Sequence, residues 1–170
     1  MDVALLVLRV VVGPLVAAHG AQKLFGWFGG GGLQKTARLL EQLGLRPPLG
    51  WAAAGALAEF GGGLLLALGL LAPLGSVGVG AAMAIAVTKI HWPKLWVTQH
   101  GYEYPLVILA VAVAVGLAGS GAYSLDALWG TALPPSLRDL VLALGALGYL
   151  AAMCISALHN TAGPKAHPAN

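Results

Sequence analysis

Between Trp51 and Leu71 the chain carries one charge, Glu59, in an otherwise apolar stretch. That length is enough to cross the hydrocarbon core of a bilayer, which takes about 20 residues. In hydrocarbon no water satisfies the backbone, so a span of this kind folds as a helix unless it closes into a barrel. The alternating pattern of barrel strands is missing. A carboxylate at such depth costs roughly 2.5 kcal/mol or more unless it is paired, hydrated or neutralised. Glu59 therefore needs partners.

Four further apolar segments accompany this one. The five run approximately from Val3 to Leu24, Trp51 to Leu71, Leu74 to Ile90, Tyr104 to Ala118 and Leu137 to Leu158. Hydrophobic residues make up 58% of the chain and charged residues 9%, against roughly 25% charged in a soluble domain. The sequence thus predicts an all-α membrane protein: a four-helix transmembrane bundle over residues 1–126, then a loop, a fifth C-terminal transmembrane helix and a tail over 127–170, as one domain overall. Gly29 to Gly32 breaks the chain after the first span, and Leu33, Ala37, Leu40 and Leu43 then alternate with Lys35, Arg38 and Glu41. This spacing predicts a short amphipathic helix at the membrane interface, ended by Pro47 and Pro48. Pro73 and Gly75 predict a tight turn between the second and third spans.

The net charge of +3 does not point to nucleic acid, because the basic residues are scattered singly through loops. Sorted by side, Lys23, Lys35, Arg38, Arg46, Lys89, Lys94 and Lys165 share one face of the membrane, and Arg9 and Arg138 belong to the other. The positive-inside bias then places the C-terminus in the cytoplasm of a cell whose plasma membrane the protein crosses several times. Cys154 stands alone, which excludes an internal disulfide, a Cys-x-x-Cys pair and a thiolate metal cage. No metal site is expected.

In this frame the polar residues converge. His19, Gln22 and Lys23 share one face near the end of the first helix, and Glu59 lies about 12 Å into the second from the same side. Lys89 and His91 close the third helix there, while Tyr102 and Glu103 open the fourth. At the opposite end Arg9, about 10 Å inside the first helix, faces the level of Asp126, and the two are expected to form a structural ion pair.

The runs Leu8-Arg9, Gly13 and His19-Gly20-Ala21-Gln22-Lys23-Leu24-Phe25-Gly26 resemble the first helix of DoxX family membrane proteins. Ala58-Glu59-Phe60-Gly61-Gly62-Gly63 with Leu68-Gly69 resembles that family's second helix, and Met83-Ala84-Ile85-Ala86 its third. Gly101-Tyr102-Glu103 and Tyr123-Ser124-Leu125-Asp126 flank its fourth. The resemblance covers roughly three quarters of the chain, and the fifth segment departs from the family's four-helix core. It implies membrane redox chemistry, since relatives include the quinone-linked, thiosulfate-oxidising DoxD and DoxA subunits and a protein that associates with detoxifying enzymes at the membrane.

These observations lead to one expectation and two rivals. The expectation is a polar pocket for a quinone headgroup or similar lipophilic molecule. His19, Gln22 and Lys23 would donate to its carbonyls and Glu59 would accept a proton, with Lys89, His91, Tyr102 and Glu103 completing the wall. Electrons would come from a partner redox subunit or a bound cofactor, because the chain holds no dithiol. In the bland version of the same cluster, Glu59 pairs with Lys23 or Lys89 and only fixes helix register. The rivals are a haem-binding electron carrier using His19 and His91 as axial ligands, and a non-enzymatic scaffold or transporter of a small lipophilic molecule, as a homo-oligomer or with a partner in the lipid bilayer.

Overall fold

A computed structural model describes residues 1–162; Lys165 and the rest of the tail lie outside the described residues. Among the described residues four helices are long and apolar enough to cross a membrane. They are α1 (Asp2–Phe25), α3 (Pro48–Leu68), α4 (Ala72–Ile85, prolonged by a π-helical turn over Ala86–His91) and α7 (Pro135–Ala162). A shorter apolar helix, α5 (Glu103–Ala118), runs beside them. The amphipathic α2 (Gly32–Gln42) and the five-residue α6 (Leu125–Trp129) lie in the connections. The chain is an all-α, multi-pass membrane protein.

Small residues set the closest packing. α1 and α3 run antiparallel, and a Cβ added at Gly13 would fall 2.5 Å from the backbone nitrogen of Ala67, one at Gly20 2.3 Å from that of Phe60, and one at Gly63 2.5 Å from that of Ala17. Such backbone contact gives helices in lipid the dispersion gain that the hydrophobic effect does not supply there. On its neighbouring face α3 presents Gly62 to the Gly75 carbonyl and to Val79 of α4. Val16, Val79, Ala82, Met83, Ile108 and Ala112 then form a buried cluster where α1, α4 and α5 meet. α1, α3, α4 and α5 make the four-helix core, and α7 packs outside it on α4 and α5, with Gly145 against Val77 and Gly116 against Leu142.

The interfacial helix forms where the amphipathic spacing puts it. Ala37 and Leu40 are buried with Leu45 and Ala52 of the following segment, and Lys35, Arg38 and Glu41 face outward. Pro47 and Pro48 lie beyond its end and open α3, as a proline in a first helical turn readily does.

The turn between the second and third spans differs from the expected Pro73–Gly75 bend. The chain reverses earlier, with Gly69 and Leu71 both in the left-handed region (φ +62° and +45°). Pro73 sits inside the first turn of α4, where its missing N–H costs nothing. The reversal is early because a carboxylate from elsewhere in the chain, Asp126, binds the Leu71 and Ala72 N–H groups and so starts the helix at Ala72.

Candidate functional site

Glu59 faces the α1 side of α3 and is 2% exposed. Its Oε1 accepts a hydrogen bond from Lys23 Nζ of α1 in a close ion pair, so of the two lysines weighed from the sequence, Lys23 is the partner. Oε2 has no hydrogen-bond partner among the described residues. The Lys23 side chain, 35% exposed, connects the buried carboxylate to the surface. Gly20, one turn before Lys23, meets the backbone of Phe60 next to Glu59, and this contact brings the two charges within reach.

His19 lies one helical turn from Lys23 and is exposed. Its Nδ1 is 3.0 Å from Gln22 Oε1, and its Nε2 is 3.5 Å from the Tyr104 hydroxyl of α5. The two rings meet edge to face with centroids 5.9 Å apart. Tyr104 is also within electrostatic reach of Glu59. In the sequence Tyr104 opens a span, and a tyrosine at a helix end reads as an interfacial anchor. Its position directly after Glu103, at the level of the other polar residues, was the available signal. Gln22 is a bridge: its Nε2 donates to the Phe28 carbonyl (3.2 Å), tying the end of α1 to the turn Trp27–Gly29.

The other predicted wall residues are drawn into local contacts. His91 Nδ1 lies 2.7 Å from the His100 carbonyl, and the Tyr102 ring stacks on Trp92 at 5.7 Å, so both serve the connection between α4 and α5. Lys89 and Glu103 are partly exposed and make no ion pair among the described residues. Lys89 and His91 belong to the π-helical turn, whose wider winding recurs at functional sites. Among the described residues no three of His, Cys, Asp and Glu gather as a metal site.

At the far end the expected direct Arg9–Asp126 ion pair is replaced by a different arrangement. Arg9 is fully buried and donates from Nη2 to the Tyr123 carbonyl at 2.5 Å. Its guanidinium occupies the space a Cβ at Gly69 would take, 1.6 Å from that position. Asp126 is occupied otherwise. It accepts from the N–H groups of Leu71 (2.9 Å) and Ala72 (3.2 Å) and from the hydroxyls of Ser120 (2.9 Å) and Thr131 (2.9 Å). The two charges feel each other only at longer range: Asp126 is taken up by N–H groups of the α3–α4 turn and by nearby hydroxyls, and Arg9 donates from Nη2 alone, its Nε and Nη1 having no partner among the described residues. Burial pushes the Asp126 carboxyl up, but these four hydrogen bonds outweigh it and hold the group below its ordinary value.

Beside the open cluster lies a cavity of about 460 Å³ between the end of α1, Gly30, Gly31 and one face of α2. A second, apolar one of about 310 Å³ opens between α4, α5 and α7. The family model of DoxX matches residues 4–92, just over half of the chain. The chain belongs to the DoxX family. The matched part of this DoxX protein holds Arg9, His19, Gln22, Lys23, Glu59, Lys89 and His91, whereas Tyr102, Glu103, Tyr104 and Asp126 come from beyond it. No curated protein and no solved structure matches the chain at a significant level.

Proposed function

We propose that the Lys23–Glu59 cluster binds the polar head of a lipophilic small molecule, with quinones the class it fits best, and that the protein serves a membrane redox system as a subunit. The unpartnered Oε2 of Glu59, buried beside Lys23 and the exposed His19–Tyr104 edge, carries this reading. A purely structural ion pair gains from having both carboxylate oxygens satisfied; a site that takes and releases protons needs a free one.

A quinone carbonyl would accept from Lys23 or His19. On oxidation of a quinol, one hydroxyl proton would pass to the free oxygen of Glu59 and the other through His19 toward the surface, while two electrons leave to an acceptor held by a partner subunit. The bias of basic loop residues toward the His19 end supports an orientation with that end in the cytoplasm and the protein in the plasma membrane.

The test uses the full chain in lipid nanodiscs supplied with a long-chain quinone. Glu59→Gln keeps the shape and an amide oxygen that can still accept from Lys23, whose 35% exposed side chain can also reach water, so the folded protein should remain in the membrane, while quinone binding and proton uptake linked to it are lost. Quinone binding and proton uptake unchanged in the Glu59→Gln protein would remove the assignment.

A further inference from the structure

The cavity at the α1–α2 elbow is built for an anion that nothing described so far supplies. Three cationic side chains, Lys23, Lys35 and Arg38, line it, and no carboxylate does. Lys35 lies in the first turn of α2, where a helix carries its partial positive charge and acidic residues are the stabilising choice; α2 has none there, and its N-cap Gly31 offers no side chain to the first N–H groups. The glycines fit this use. A Cβ at Gly30 would meet the Gln22 carbonyl oxygen at 2.3 Å, and one at Gly31 would meet the Lys35 stem at 2.1 Å. Gly30 therefore lets the loop close against α1, and Gly31 lets Lys35 fold back over it.

The surroundings say where the anion comes from. α2 is the amphipathic interfacial helix, and next to it Phe25, Trp27 and Phe28 are 53%, 56% and 71% exposed. Aromatic rings so placed belong at the headgroup level of a bilayer. A cluster of cations at that level attracts anionic lipid, at about 1 kcal/mol per Lys or Arg. We propose that the α1–α2 elbow binds the phosphate headgroup of an anionic phospholipid, with Lys35 and Arg38 as the principal contacts and Lys23 shared between this phosphate and Glu59. The proposal stands independently of the quinone reading, since Lys35 and Arg38 take no part in the Lys23–Glu59 pair.

The full-length protein is placed in nanodiscs of mixed phosphatidylglycerol and phosphatidylcholine, and the lipid it retains on release is counted by native mass spectrometry. Phosphatidylglycerol should be retained selectively, and the double variant K35Q/R38Q should hold it roughly 30-fold more weakly, the effect of two surface cations. Its melting temperature in pure phosphatidylcholine should match the unaltered protein, which separates loss of the site from loss of fold. Equal retention of the two lipids, or equal phosphatidylglycerol retention by the variant, overturns the proposal. Saturable binding of soluble glycerol phosphate in pure phosphatidylcholine discs would overturn the lipid as its source.

Discussion

The two ends of the bundle each bury a charge, and they treat it in opposite ways. At one end Arg9 and Asp126 lie wholly inside, held by backbone groups from a turn and a loop far apart in sequence, and Asp126 accepts four hydrogen bonds. At the other, Glu59 is just as buried but reaches the surface through the partly exposed Lys23, and the exposed His19 with Tyr104 stands next to it. Burial by itself therefore does not tell the two ends apart. What separates them is whether a chain of polar groups leads out.

The sharpest break in this comparison would come from Asp126→Ala. It strands the Leu71 and Ala72 N–H groups and two hydroxyls, at about 1 kcal/mol for each lost bond, so thermal unfolding in nanodiscs should show a loss of about 3 kcal/mol or more. A loss no larger than that of Glu59→Gln would erase the distinction between the two ends.

Acid should act on the same lock. The folded-state value of Asp126 lies below the unfolded one, so its contribution is fully present above the unfolded value of about 3.9 and is lost as pH falls through the folded one. Melting followed from pH 6 downward should fall below about pH 4, and in Asp126→Asn that acid-dependent fall should be smaller. The smallest effect belongs to Tyr104→Phe, which removes one long hydrogen bond to His19. It should weaken quinone binding about twofold, or roughly 0.5 kcal/mol, with melting unchanged. A shift in melting as large as that of Asp126→Ala would mean the open end is also structural.

The spans, the interfacial helix and the polar level were legible because bilayer thickness imposes them on the sequence as lengths and depths. Depth, however, carries no azimuth. The sequence left Lys23 and Lys89 as equal partners for Glu59, and the choice was made by Gly20 packing on Phe60, a contact between helices. Arg9 and Asp126 were correctly placed at one end but assigned to each other, since pairing by charge ignores the backbone groups that a reversal at Gly69–Leu71 exposes. Lys35 and Arg38 read only as the polar face of the amphipathic helix because their shared cavity exists only once α2 folds back on α1 and α3.

The unequal lengths of the core helices bear on the open end. At 1.5 Å per residue α1 is about 36 Å long and α5 about 24 Å, against a hydrocarbon core near 30 Å. A helix that short is matched by thinning of the lipid, by snorkelling of flanking residues or by oligomerisation, each at a modest cost for each ångström of mismatch. Tyr104 stands in the first turn of that short helix with His19 beside it. Where the lipid thins on that flank, water and headgroups would come down toward the sheltered carboxylate, and the protein would not need to raise its charges to meet them.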